Sequence, residues 1–164
     1  LRDKHHLNFS LLATSGELIS GRFAEIDSKL YTHEVLNKGY YTNSFHVYVD
    51  SELPAYQKIK FEGAFHALAN GGCITYVELR EAPLGNAIGM DELIEIAIDA
   101  DVHYLGFNFP QDVCENCGIS GTFDVCPHCD SKNVTHIRRV SGYLEIQDYF
   151  TSGKMKESKN RKEN

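Results

Sequence analysis

The chain has 164 residues, of which 42% are hydrophobic, enough for the core of one ordinary domain or of a piece of a larger one, and this excludes disorder throughout. Its 16 Lys plus Arg against 23 Asp plus Glu leave a formal charge of -7, which disfavours direct nucleic-acid binding, because neutralising phosphates takes a basic surface. No stretch approaches the roughly 20 consecutive apolar residues of a spanning helix, and Leu1-Arg2-Asp3-Lys4-His5-His6 leads into no signal-peptide core. A cytoplasmic chain with no membrane association is expected. It begins with Leu rather than Met, which predicts a fragment.

In chain order, the apolar run Leu7-Asn8-Phe9-Ser10-Leu11-Leu12-Ala13, closed by Thr14-Ser15-Gly16, predicts a strand and turn. Ile19, Phe23, Ile26 and Leu30 recur at helical spacing. The stretch 38–47 is dense in aromatic and hydrogen-bonding side chains without a period, and reads equally as a pocket lining or as a surface loop with half-buried tyrosines. Pro54 suits the first turn of a helix through Ile59, with an interruption near Gly63 and a second short helix over Ala64 to Leu68.

Cys73 to Leu79, rich in β-branched and aromatic residues, is the clearest strand. Leu93, Ile94, Ala97 and Ile98 mark an amphipathic helix that Asp91 can cap, and Tyr104 to Phe109 reads as another strand. Alternating strands and helices point to parallel α/β construction, but with too few strands for an independent sheet or barrel. Missing strands are expected upstream. After Thr151 the tail is polar and carries Lys154, Lys156, Lys159, Arg161 and Lys162, the usual composition of a solvated end.

Of the five cysteines, four fall within 16 residues as two C-x2-C units, Cys114/Cys117 and Cys126/Cys129, separated by eight residues. Two intervening residues let both thiolates reach one ion from a tight turn, and two such turns complete a tetrahedral S4 site. Gly118 suits a knuckle that needs positive φ. A redox pair would be expected beside a helix N-terminus and not doubled, and spacing does not separate zinc from iron. Four protein ligands leave no open position, so the site is read as structural. His128, inside a knuckle, is read as a surface histidine, and Cys73 as an inert core residue.

Beyond the cysteines runs Arg139-Val140-Ser141-Gly142-Tyr143-Leu144, with Gly142 thirteen residues past Cys129. Taken alone, the glycine reads as a turn or bulge. A double C-x2-C site followed by this hexapeptide resembles the carboxy-terminal end of the class III anaerobic ribonucleoside-triphosphate reductases, whose glycyl radical sits in an Arg-Val-x-Gly-Tyr-Leu loop. The likeness runs back through Tyr104-Leu105-Gly106-Phe107-Asn108-Phe109-Pro110, Thr75-Tyr76-Val77-Glu78-Leu79, Gly39-Tyr40-Tyr41-Thr42-Asn43-Ser44-Phe45-His46, Ser20-Gly21-Arg22-Phe23 and Asn8-Phe9-Ser10-Leu11-Leu12-Ala13-Thr14. It departs at Glu145, where a glycine is usual.

The resemblance implies an α/β fold: residues 1–110 would be the carboxy-terminal portion of a ten-stranded α/β barrel, 111–135 a four-cysteine zinc ribbon, and 136–164 the glycyl radical loop and basic tail. Gly142 would store the radical, generated by a radical S-adenosylmethionine activase with an iron–sulfur cluster. A Cα radical flattens and delocalises between amide and carbonyl, and a Cβ would crowd that geometry. The radical would pass to a cysteine thiyl that abstracts the ribose 3′ hydrogen, with formate or a thiol system as reductant. That cysteine belongs to an upstream loop that none of the five cysteines here matches.

Ala13-Thr14-Ser15-Gly16-Glu17 stands where the family has Ala-Thr-Pro-Ala-Glu near the substrate phosphates, which makes Ala13, Thr14, Ser15 and Gly16 candidate substrate-binding residues with small side chains and amides suited to an anion. The implied partners are the upstream portion of the reductase, the activase and ribonucleoside triphosphates, and the whole enzyme is expected to be a homodimer. The competing reading is a zinc-ribbon binding module on a small α/β scaffold without catalysis.

Overall fold

The computed structural model describes residues 1–13, 16, 19–140 and 142–164. After a single turn, α1 (Arg2–His5), the segment expected to be a strand makes only an isolated parallel bridge, Leu12 to Gly72, with the Ala13 amide on the Gly72 carbonyl at 3.0 Å. An apolar run becomes a strand only where a neighbouring backbone takes up its hydrogen bonds. Helix α2 (Ile19–Asp27) has the expected period but the opposite face inward: Ser20 and Ala24 are buried while Ile19, Phe23 and Ile26 are exposed.

A 3₁₀ turn over Glu34–Lys38 leads into the aromatic loop, where Tyr40 is fully buried and accepts a hydrogen bond from Asn160 Nδ2 at 3.1 Å. Helix α3 (Ala55–His66) runs unbroken through Gly63. That glycine is needed for packing, because a Cβ there would collide with the carbonyl of Ala100.

Strand β1 (Thr75–Glu78), helix α4 (Ala87–Asp99) and strand β2 (Leu105–Asn108) form one parallel βαβ unit, registered from Thr75 opposite Leu105 to Glu78 opposite Asn108. The cap of α4 is Asn86, whose side chain accepts from the Gly89 amide at 3.2 Å; Asp91 lies inside the helix. The core sits between the helices and one sheet face: Ile59, Val77 and Ala97, with Leu93, Ile96, Leu105 and Phe107 against them. Burying side chains such as Ile59 and Val77 contributes about 1.5–3 kcal/mol each.

Side chains alternate across a strand, so Tyr76, Glu78, Gly106 and Asn108 occupy the other face. What covers it comes from the end of the chain. A four-stranded antiparallel sheet in the order β4-β3-β5-β6 is built from β3 (Gln111–Cys114), β4 (Ser120–Gly121), β5 (Val134–Arg139) and β6 (Leu144–Ile146).

The polar tail is solvated on one side only, with Lys156, Lys159 and Lys162 exposed. It forms α5 (Ser152–Asn160), capped by the Thr151 hydroxyl, with Gly153, Lys154 and Glu157 buried. Beyond it Arg161 pairs with Glu78, and the Lys162 amide donates to the Val49 carbonyl at 2.7 Å. The molecule is mixed α/β with an attached cysteine-bearing sheet, and among the described residues no helix is long and apolar enough to cross a membrane.

Candidate functional site

The cysteines lie where β3 ends and where the β4–β5 connection turns. Each knuckle closes in the same way: the amide of Gly118 donates to the Cys114 carbonyl at 2.8 Å, and that of Asp130 to the Cys126 carbonyl at 2.9 Å. Both fourth residues are left-handed, Gly118 at φ 73° and Asp130 at φ 55°. Sequence reading found the first from its glycine and missed the second, although Asp is among the side chains that tolerate this region.

All four thiols are unpaired, and their sulfurs lie within 4.8 Å of one another. The separations are 3.6 Å for Cys114–Cys129, 3.5 Å for Cys117–Cys126 and 3.6 Å for Cys117–Cys129. A tetrahedron with metal–sulfur bonds of about 2.3 Å has edges of about 3.8 Å. The donor set and spacing therefore fit one tetrahedral ion such as zinc, held by Cys114, Cys117, Cys126 and Cys129. Burial pushes the Cys114 thiol up, but hydrogen bonds from the amides of Cys117 and Asn116 and from the thiols of Cys117 and Cys126 together outweigh it and bring the pKa down to about 6. Cys73 is buried before β1, and burial raises its thiol pKa, as suits an inert core residue.

Asp112, 1% exposed on β3, braces the ribbon. Its carboxylate accepts from the Phe123 amide at 2.9 Å and Arg138 at 2.5 Å, and pairs with His136 Nδ1 at 2.8 Å. The entry to the second knuckle is thereby tied to β5, the strand that leads to Gly142.

Arg139 on β5 stands opposite Leu144 on β6, so Val140, Gly142 and Tyr143 lie in the connection between the two strands. Gly142 sits there at φ 92°, a conformation that L side chains rarely adopt. On the polar face of β1–β2, Asn108 Nδ2 donates to the Arg139 carbonyl at 3.1 Å and to Glu78 Oε2 at 2.7 Å, while Tyr76 Oη reaches the Gly142 carbonyl at 3.5 Å. The Arg139 guanidinium lies 5.5 Å from the Tyr76 ring centroid. Tyr76 and Asn108 on the polar face of the parallel pair thus contact the segment around Gly142, which is continuous in the chain with the cysteine ribbon.

Tyr76, Asn108 and Asp112 were not singled out from sequence. A usable signal existed for two of them: polar residues alternating with Val77 and Phe107 mark a sheet face covered by something polar.

Of the proposed substrate residues, Thr14 and Ser15 lie outside the described residues. The Ala13 amide donates to the Gly72 carbonyl at 3.0 Å and the Gly16 amide to Asn43 Oδ1 at 3.1 Å.

The family model described as anaerobic ribonucleoside-triphosphate reductase matches residues 1–163. The chain belongs to this family. Among curated relatives, the anaerobic ribonucleoside-triphosphate reductase of Haemophilus influenzae is 38% identical, with 93% of this chain and 23% of that protein covered. The Escherichia coli protein of the same name is 37% identical with the same coverage, and that of Enterobacteria phage T4 is 35% identical, with 93% and 27% covered. The chain therefore spans about a quarter of the length of these reductases.

Solved structures agree on the fold. An anaerobic ribonucleotide reductase superposes with a TM-score of 0.81 at 23% identity, covering 99% of this chain and 26% of that one. The Thermotoga maritima enzyme, solved in complex with dATP and CTP, superposes with a TM-score of 0.73 at 20% identity, covering 98% and 25%.

Proposed function

We propose that this chain is the carboxy-terminal part of an anaerobic reductase that converts ribonucleoside triphosphates to deoxyribonucleotides, and that it stores the radical at Gly142. The observation that carries this reading is the placement of Gly142, left-handed between β5 and β6 with its carbonyl at the Tyr76 hydroxyl on the polar face of a parallel βαβ unit. Loss of one Cα hydrogen atom to the activase would leave Gly142 with a planar radical conjugated with its own amide and carbonyl. The Tyr76 hydroxyl at that carbonyl, and Asn108 on the carbonyl of Arg139, are placed to hold the loop while the radical is stored.

Zinc bound by the four thiolates supplies cross-linking and no redox change. The residues of the ribbon do the rest: Asp112 passes the rigidity of the knuckles to β5. In this reading β1 and β2 continue into a ten-stranded barrel formed with the upstream portion, which also brings the thiyl cysteine. The exposed apolar residues of α2 and α4, among them Phe23, Ile88 and Ile98, give that portion a surface to cover.

The test is reconstitution without oxygen. The chain alone is expected to show no turnover. Mixed with the upstream polypeptide and the radical S-adenosylmethionine activase, it should reduce ribonucleoside triphosphates and show an electron paramagnetic resonance doublet that Gly142→Ala removes. Turnover by the chain alone, or a doublet that survives Gly142→Ala, would overturn the assignment.

A further inference from the structure

The N-terminal flank of Gly142 is held from the barrel side by Asn108, whose amide donates to the Arg139 carbonyl. The C-terminal flank is held differently. Lys154, on α5 with its side chain only 4% exposed, donates to Tyr143 Oη at 2.6 Å and to Glu145 Oε2 at 2.8 Å. Its ammonium also lies 4.5 Å from the Tyr143 ring centroid.

A buried ammonium is costly unless its donors are matched. Here they are spent on the two side chains that follow the glycine at alternate positions. The helix that carries the lysine is anchored elsewhere: Gly153 packs on Gly21, Asn160 donates to Tyr40, Glu157 accepts from Asn43 and Arg161, just beyond the helix, pairs with Glu78. The lysine therefore acts from a fixed base onto a hairpin whose second strand, β6, is three residues long. So short a strand holds its register weakly by itself.

We propose that Lys154 is a positioning residue for the glycine loop, clamping Tyr143 and Glu145 to α5 so that Gly142 is fixed from both flanks, by Asn108 before it and by Lys154 after it. The proposal deepens the radical-storage reading and rests on it for its purpose, though the clamp itself is a property of the folded chain. Lys154 touches no reacting atom; its effect passes through Tyr143. Holding a stored radical in one geometry asks for placement to within about half an ångström, which comes from supporting side chains whose own positions are locked.

The experiment uses the reconstituted complex of this chain, the upstream polypeptide and the activase, with Lys154→Met, Tyr143→Phe and the double variant. Amide hydrogen exchange over residues 142–146 is measured before activation, and the half-life of the doublet after it. In both single variants exchange should rise at least about tenfold. The doublet should decay at least about tenfold faster. The double variant should be no worse than Lys154→Met alone, since that variant already loses the Tyr143 contact together with the Glu145 one.

Unchanged exchange at 142–146 in Tyr143→Phe, or additive effects in the double variant, would overturn the clamp. If Lys154→Met fails to assemble, judged by its metal content, Tyr143→Phe decides by itself, because it keeps the ring and loses only the acceptor. A parent complex that exchanges as expected but never yields a doublet would refute the radical reading and leave the clamp standing.

Discussion

Gly21 and Gly153 meet backbone to backbone where α2 crosses α5: a Cβ on Gly21 would stand 2.8 Å from the Cα of Gly153, and one on Gly153 would stand 2.7 Å from the Cα of Gly21. Neither neighbour is the movable end of a side chain, so the helices must separate to admit a methyl group. Through this crossing the last segment of the chain is seated on the first well-formed helix, with Lys154 one residue further along.

Gly21→Ala should therefore cost about 1–3 kcal/mol as an overpacked contact. For a chain of this size that corresponds to a fall in Tm of roughly 2–12 °C. Thermal unfolding checks the magnitude, and limited proteolysis should show cleavage after Thr151 appearing earlier than in the parent. An unchanged Tm together with an unchanged digestion pattern would show that the two helices do not touch in solution.

One zinc per chain is expected, because closed S4 coordination ties together knuckles too short to build a core. Cys126→Ser, which alters a fully buried ligand, should lower the metal content well below one. Chelation should expose the backbone of β3 and β5 to hydrogen exchange while β1 and β2 keep their protection. Metal analysis of anaerobically purified protein that finds neither zinc nor iron would remove the site.

Glu157 gives a pH dependence of defined sign. Burial raises its pKa to about 7, only partly offset by Arg161 and Asn43. Between the ordinary value of 4.5 and about 7 the folded chain binds more protons at this group than the unfolded chain, so its contribution to stability is present below the ordinary value and is lost as pH rises through 7. Glu157→Gln should remove this loss, making the variant more stable relative to the parent at pH 8 than at pH 5, by about 1–3 kcal/mol. Urea unfolding at the two pH values measures the difference, and a gap of the opposite sign would place the native pKa of Glu157 below the ordinary one.

What the sequence showed and what it hid divide along the range of the interactions. The βαβ unit was legible because β-branched strands and the apolar stripe of α4 are local patterns, and the knuckles because four sulfurs at fixed spacing admit few other uses. The buried tail was hidden. Asn43 and Glu157 are 114 residues apart, and Arg161 and Glu78 are 83 apart, so the charges that look solvated in a window of sequence are matched only in space. Leu7 to Ala13 misled for a related reason: the run is apolar, but only Leu12 finds a neighbouring strand-like backbone in this chain. Helix α2 has the right period and the wrong face inward, since Ser20 and Ala24 let Gly21 approach Gly153 where larger residues could not.

Oxygen supplies the sharpest test of Gly142. Dioxygen adds to a glycyl radical at Cα and the peroxyl product breaks the backbone there, so brief exposure of the activated complex to air should cut this chain at Gly142. The N–Cα bond of Gly142 breaks, so the large piece should end at residue 141 as an amide, and the small piece, which carries β6 and α5 with Lys154 and the Arg161 that pairs with Glu78, should begin with the oxidised carbons of the glycine. Because α5 is seated on α2 and on Tyr40, the small piece should stay bound until the complex is denatured. Mass spectrometry under denaturing conditions is therefore the measurement. A break mapped to Gly118, Gly121 or Gly153, or one that also forms in Gly142→Ala, would move the radical to another residue. An intact chain after a doublet has been observed and quenched by air would show that the radical was not on this chain.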